Sequence, residues 1–158
     1  MSDELAIRTA TREDRTWLLP LSARLHDFGP PQWRPRDQMD RAVARAIGSA
    51  LEVPGPGAAV FVCEDDAGGP QGFVHVHSAT DYFTGETHGH VSDLVVAPHA
   101  EGRGVGRALM AAAEEWSLAQ GHRLLSLNVF GDNGRARALY DRLGYRPDTT
   151  KMVKVLRG

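Results

Sequence analysis

The chain has 158 residues, 42% of them hydrophobic, enough to bury one ordinary core and short for two, so a single domain over residues 1–158 is expected. A formal net charge of −2 and a lone cysteine, Cys63, argue against a global basic field for nucleic acid or an anionic membrane, and exclude an intrachain disulfide or a thiolate metal cluster. Neither a signal-peptide pattern nor an apolar run of membrane-spanning length is visible, which points to a cytoplasmic protein with no membrane partner.

Residues 5–9 read as a first strand, and Thr11 followed three residues later by Asp14 resembles a capping box opening a helix. Trp17, Leu18, Leu21 and Leu25 keep helical spacing; Pro20 is expected to kink or split that helix and Gly29-Pro30-Pro31 to end it. A second helix is predicted over residues 36–51, with Met39, Val43, Ala46, Ile47 and Ala50 on one face, stopped by the Pro/Gly run at 53–57. The period then changes. Residues 59–63 form a continuous apolar run of strand length, residues 72–77 its hairpin partner, and residues 90–96 a central strand that Pro98 bars from extending. A helix after residue 104 carries Leu109, Ala112, Ala113, Trp116 and Ala119 on one face and ends near Gly121; residues 124–129 are a strand. Asp132 or Asn133 can cap a last helix whose inner face is Ala136, Leu139, Tyr140 and Leu143, ending at Gly144, and residues 151–156 are expected to close the sheet.

The chain is organised around Glu101-Gly102-Arg103-Gly104-Val105-Gly106-Arg107, between the central strand and the helix after it. Glycines let backbone N–H groups approach a ligand and tolerate positive φ, while the helix start adds unpaired donors and the positive dipole end, so this turn suits a phosphate or pyrophosphate. Two better-known loops do not match. A Walker A loop needs Gly-Lys-Ser/Thr, whereas Arg107 and Ala108 follow Gly106; a dinucleotide fingerprint needs a last glycine where Arg107 or Leu109 stands. A generic nucleotide-binding α/β domain is thereby disfavoured.

Strand, Pro-x-x-x-Gly-x-Gly-x-Gly, helix, strand, then Asn133-x-x-Ala136-x-x-x-Tyr140-x-x-x-Gly144-Tyr145: this ordered pair of signatures resembles the GNAT acyltransferase superfamily, most clearly from about Ser92 to Tyr145. The resemblance implies an α/β acyl-CoA N-acyltransferase fold, a mixed, mostly antiparallel central sheet flanked by about four helices. It implies acetyl-CoA as cosubstrate and a primary amine as acceptor, with no metal. Arg103, Gly104, Val105, Gly106 and Arg107 stand where the family's backbone amides bind the pyrophosphate. Leu94, Val95 and Val96 stand on the strand that pairs with the pantetheine arm. Asn133 opens the second motif, with Arg135 and Arg137 beside the nucleotide's phosphates, although a solvated helix face also accounts for Arg137. Glu101 departs from the family's Gln or Arg at its position, and a carboxylate beside a polyanion is unfavourable unless it points away or pairs with an arginine.

The resemblance places Tyr140 as the acid toward the departing thiolate, with a core tyrosine as the structural alternative. Asp93 is the candidate base, direct or through water, or else a recogniser of a cationic acceptor; His90 and His75 are alternatives because histidine titrates near neutrality. Peptide N–H groups around Val95 would meet the oxyanion. His75 with His77, and His88 with His90, are each two apart, so a hairpin could juxtapose them as a metal site or as solvated side chains. Cys63 reads as buried filler, which favours direct transfer over an acyl-enzyme. Residues 17–33 with Tyr82, Phe83 and Glu86 are expected to wall the acceptor site; their aromatics suit a core or a homodimer interface equally. A small amine, an antibiotic amine, an amino acid and a protein N-terminus all stay open as acceptors, and a non-catalytic acyl-CoA sensor is the alternative function.

Overall fold

The computed structural model describes residues 4–53 and 55–158; Pro54, part of the expected helix stop, lies outside them. Alternating and continuous apolar runs become five strands, β1 Ala6–Thr9, β2 Ala58–Glu64, β3 Pro70–Thr80, β4 Thr87–Val96 and β5 Leu125–Leu127, in the order β1-β2-β3-β4-β5. The first three pairings are antiparallel, and β4 with β5 is parallel. Among the described residues four α-helices pack on this mixed sheet: α1 Arg15–Ser22, α2 Arg36–Glu52, α3 Val105–Ala119 and α4 Gly134–Arg142.

Strand alternation divides the core into two layers. Cys63, Val74, Val76 and Val91 face α3, where they meet Val105, Leu109, Met110 and Ala113. Val60, Val62, Phe73 and Val95 face the other way and are covered by Leu18, Ile47 and Leu51 of α1 and α2. The α3 stripe is rotated from the one the sequence predicts: Met110 and Ser117 are buried, whereas Ala119 is exposed. Ser117 is inside because Gly89 lets β4 approach the helix there. A Cβ on Gly89 would lie 2.2 Å from Ser117 Oγ, which donates to Ala113 O at 2.8 Å. No described helix is long and apolar enough to cross a membrane.

Thr11 and Asp14 form the expected capping box, the Asp14 carboxylate accepting from the Thr11 N–H at 2.7 Å, but they open a 3-10 turn, Arg12–Asp14, that runs into α1. Pro20 lies inside α1, which gives way after Ser22 to a second 3-10 turn, Ala23–His26. Asp14 also accepts two bonds from Arg8, at 2.8 and 2.7 Å, and one from Trp17 Nε1 at 3.0 Å, tying β1 to α1. Asp14→Ala should therefore destabilise the fold by about 1–3 kcal/mol in denaturant unfolding, because it strands the Trp17 and Thr11 donors and leaves the partly exposed Arg8 with Glu64 alone. Arg8 holds the folded-state carboxyl of Asp14 well below its ordinary 3.8. This contribution is complete above that value and fades as pH falls below it, so the deficit of the variant should narrow between pH 6 and pH 3. A deficit unchanged over that range would show that the carboxylate charge is not what Arg8 uses.

The expected closing strand at residues 151–156 does not form. Residues 146–158 are exposed and carry no secondary structure. The alternation is present, but β5 offers only three residues as a partner and the chain does not turn back onto it.

Candidate active site

β4 positions most of the site. Its pairing with β5 runs from Gly89–Leu125 to Val91–Leu127 and stops, while β4 continues for five more residues to Val96. Beyond Val91 the two parallel strands part, leaving main-chain groups of β4 without a strand on that side. Leu94, Val95 and Val96 lie on this stretch.

Just past Val91 the β3–β4 register slips. Val76 opposes Val91, but His75 opposes Asp93, so Ser92 is the extra residue of a bulge. An unbroken ladder would set Ser92 opposite His75 and turn Asp93 to the α3 face; the bulge instead turns Asp93 onto the face of His75. Both side chains are buried, and His75 Nδ1 lies 3.3 Å from Asp93 Oδ2. Farther along the same face the His75 and His77 rings are 5.8 Å apart and the His77 and His90 rings 5.4 Å apart. His90 Nδ1 is 2.8 Å from Ser126 Oγ. Burial first, then His77 and His88, push the His90 imidazole below its ordinary 6.5, which keeps it neutral near pH 7. Among the described residues no group of three or more His, Cys, Asp or Glu is placed to hold a metal.

Tyr140 stands on α4, half-buried, its ring edge-on to Tyr145 at 6.0 Å. Burial, and then the negative charge of Asp93, push its hydroxyl up to about 12. The bulge and α4 thus bring Asp93 and Tyr140 within electrostatic reach of each other. Asn133 caps α4, its Oδ1 accepting from the Ala136 N–H at 3.2 Å, and Gly144 ends the helix with φ 92°.

At the far end of β4 the glycine turn is built as the sequence suggests. Gly102 and Gly104 have φ of 78° and 82°, a region a side chain rarely adopts, and Gly104 is the N-cap of α3. The first helical bond runs from Ala108 N to Gly104 O, so the N–H groups of Val105, Gly106 and Arg107 lack partners within the helix, an arrangement suited to an anion. Gly106 serves packing as well, since a Cβ there would come within 3.2 Å of Leu139 on α4. Arg103 and Arg107 are exposed on the turn.

Glu101 pairs with two arginines. Its Oε1 takes a short bond from Arg24 and its Oε2 lies 2.8 Å from Arg135 Nη2, which hold its carboxyl below the ordinary range, with Arg135 the larger cause. The lone acidic departure is thus neutralised, and Arg135 keeps further N–H donors beyond the one Glu101 takes. Arg24 also donates through Nε to Val96 O at 2.9 Å, tying the turn after α1 to the end of β4. Sequence reading passes over Arg24, because 77 residues separate it from Glu101 and nothing local marks it. It also passes over Phe130, on which Phe28 of the 17–33 stretch stacks at 5.1 Å, with Arg34 5.7 Å from the Phe130 ring centroid; the pair joins the α1–α2 connection to the β5–α4 connection.

Other candidates lie elsewhere. Tyr82 and Phe83 are exposed in the β3–β4 turn, and Glu86 pairs with Arg123 at 3.0 Å. This turn lies at the opposite end of β4 from the glycine loop, about 20 Å of strand from Asp93. Arg137 reaches back to Gly131 O at 3.1 Å from an exposed helix face. Cys63 is fully buried and its thiol is pushed up by burial, the reverse of an activated nucleophile. A groove of about 760 Å³ between α1 and α2, lined by Arg15, Leu19, Gly48 and Ser49 among others, takes in Leu19 of the 17–33 stretch but none of the predicted catalytic or cofactor-binding residues.

The fold has known counterparts. A mycothiol acetyltransferase of Saccharomonospora viridis is 30% identical over 163 residues, covering 90% of this chain and 53% of that protein. An uncharacterised N-acetyltransferase of Bacillus subtilis, YhfO, is 39% identical over 59 residues, covering 37% of this chain and 40% of that protein. The chain thus spans about half or less of these curated relatives. Among solved structures, a putative acetyl transferase from Pyrococcus furiosus superposes with TM-score 0.78 at 23% identity, covering 97% of this chain and all of that one. Aminoglycoside N-acetyltransferase AAC(6')-Iy in complex with CoA superposes with TM-score 0.73 at 22% identity, covering 100% and 97%; both likenesses are of fold. The sequence profile of the acetyltransferase (GNAT) family matches residues 22–145, most of the length described above, and the chain belongs to that family.

Proposed function

We propose that this domain transfers an acetyl group from acetyl-CoA to a primary amine of a small molecule or peptide by direct attack. The observation that carries the reading is the bulge at Ser92, which sets Asp93 on the face of His75 and within electrostatic reach of Tyr140, while β4 runs on, free of β5, toward the glycine turn. The pyrophosphate would lie on the amides of Val105, Gly106 and Arg107, with Arg103, Asn133 and Arg135 around it, and the pantetheine arm would pair with β4 at Leu94 to Val96.

The attacking nitrogen forms a bond to the thioester carbon, the carbonyl charge grows toward the N–H groups around Val95, and the C–S bond breaks as that charge collapses. An alkylamine with pKa near 10.4 is neutral in only about one molecule in 10³ at pH 7. Asp93, steadied by His75, takes the surplus proton, directly or through water. Tyr140, at about 12, stays protonated throughout the working range and donates its O–H to the leaving sulfur. Full transfer to a thiolate near 8.5 is uphill by about three pH units, so the hydroxyl acts chiefly as a hydrogen-bond donor while charge develops. Cys63 takes no part.

Thiol release from acetyl-CoA measured against an amine panel tests the reading. One relative is named for mycothiol and one structural neighbour for an aminoglycoside, so both compound classes belong in the panel beside amino acids, polyamines and peptide N-termini. Saturable, amine-dependent release is expected with at least one class. CoA binding without acceleration by any amine would replace the enzyme with an acyl-CoA-binding module.

Glu101 offers a separate check on the cofactor end. With Arg24 and Arg135 it forms a set of net charge +1, and Glu101→Gln makes that +2. CoA affinity by calorimetry should rise about two- to five-fold at low salt and converge with wild type as salt screens the added charge. Weaker binding at every salt concentration would mean that Glu101 is needed to hold Arg24 and Arg135 in place.

A further inference from the structure

The connection between α1 and α2 is a closed loop. Asp27 and Arg36 clasp its base, Arg36 Nη2 donating to Asp27 Oδ1 at 2.5 Å and to Ala23 O at 3.2 Å, and beside them His26 Nδ1 lies 2.7 Å from Asp40 Oδ1. Arg24 fixes the near side of this clasp to the end of β4 through Val96 O. Held between the two ends, residues 28–34 bring Phe28 and Arg34 against one ring, that of Phe130. Phe130 follows Leu127, which opposes Val91 in the last β4–β5 pair, by three residues, at most about 10 Å of chain; the same count takes β4 from Val91 to Leu94. The aromatic stack, with Arg34 on it, therefore spans from the end of β4 to the end of β5 beyond the point where the two strands part, on the stretch of cleft whose β4 side holds Asp93 to Val96.

Charge singles out Arg34. Among the described residues Arg24 pairs with Glu101 and Asp27, and Arg36 with Asp27 and Asp40, whereas Arg34, half-buried, has no carboxylate partner. Contact with Phe130 uses a face of the guanidinium and leaves the N–H donors at its edge, a fork that matches a carboxylate. A half-buried, positioned cation with those donors open is set to receive an anion. Asp93 is the buried carboxylate of the same cleft, suited to an ammonium. Together they are the complement of a molecule that carries both an amine and a carboxylate.

We infer that the acceptor is a small aminocarboxylate, its carboxylate held by the Arg34 fork and its amine directed to Asp93. The inference rests on the transferase reading for the fate of the amine and adds the class of acceptor. A polyamine or an aminoglycoside is disfavoured, because it would set a second cation beside Arg34.

Acetyl transfer to α-amino acids and ω-aminocarboxylates, each measured beside its own amide, tests it, together with calorimetric binding of the corresponding N-acetyl products to the CoA-loaded protein. For at least one pair kcat/KM should favour the carboxylate by about 100-fold, and its N-acetyl product should bind more tightly than the N-acetyl amide by a similar factor. Arg34→Gln should erase the preference by raising KM for the carboxylate about 100-fold, while the amide is affected less than about three-fold; a loop that had merely lost its shape would weaken both members of the pair alike. Arg34→Lys, which keeps the charge without the fork, should keep part of the preference. Equal use of carboxylates and amides would overturn the inference and leave the transferase standing, as would a preference that survives Arg34→Gln or an aminoalkyl phosphate used better than every carboxylate. A product-binding preference that Arg34→Gln removes, without turnover of any amine, would keep the carboxylate subsite and overturn the transferase instead. Neither turnover nor a binding preference would overturn both.

Discussion

Tyr140→Phe should lower kcat for the best acceptor amine by about 10²- to 10³-fold, in the range of one well-placed donor or acid at a reacting centre, while CoA affinity stays within about two-fold. The change removes one oxygen and leaves the ring, which packs edge-on to Tyr145, so little stability should be lost. The pH dependence separates a reacting hydroxyl from a structural one. Its pKa near 12, raised first by burial and then by Asp93, means that ionisation of Tyr140 should not depress the wild-type rate until well above pH 10, and no tyrosine-dependent step should appear at the unperturbed value. An alkaline limb near pH 10 that vanishes in Tyr140→Phe would mean the hydroxyl is less buried during turnover than in the free protein. A variant turning over at the wild-type rate would reduce Tyr140 to packing.

Where a signal is local, the sequence carried it. The apolar run of β2, the glycine turn, the Asn133 cap and the Gly121 and Gly144 stops all depend on residues within four or five positions of one another, and each appears where its spacing puts it. The family signatures lie in the same local stretch, which is why the fold class and the neighbourhood of Tyr140 were readable. The bulge was not. Ser92 is neither glycine nor proline, and nothing around it announces an extra residue, yet it decides whether Asp93 meets His75 or the α3 layer. The arginine partners of Glu101 were equally hidden, one being 77 residues away. Strand-like alternation after residue 150 was read correctly as a pattern and wrongly as a sixth strand, because a strand is a pairing and the sequence does not say with which edge.

Glu101 and the bulge act on opposite ends of one element. Arg24 grips the last carbonyl of β4 and the carboxylate of the loop, so the start of the glycine turn is fixed to the same strand whose bulge aims Asp93. Distances along β4 between the proposed phosphate end and the proposed reacting end are therefore set by backbone alone, as the proposed delivery of a thioester by a cofactor of fixed length would require.

Asp93→Asn is the second large effect expected, a fall of about 10²- to 10⁴-fold in kcat/KM at neutral pH. Asparagine keeps the size of the side chain and an oxygen that can accept from His75, so the 3.3 Å contact need not open and the fold should survive. What is lost is the proton acceptor. The variant must then wait for amine already neutral in solution, and its rate should climb about tenfold per pH unit below the amine's own pKa near 10.4. Wild type should rise less steeply, because Asp93 accepts the proton within the complex. His75→Gln should give a milder loss of about tenfold with the wild-type pH profile retained, since it disturbs the positioning of the carboxylate and not its basicity. If Asp93 instead recognises a cationic acceptor, Asp93→Asn should raise KM, leave kcat near wild type and show no steepening with pH. That split between kcat and KM would move Asp93 from proton transfer to substrate recognition.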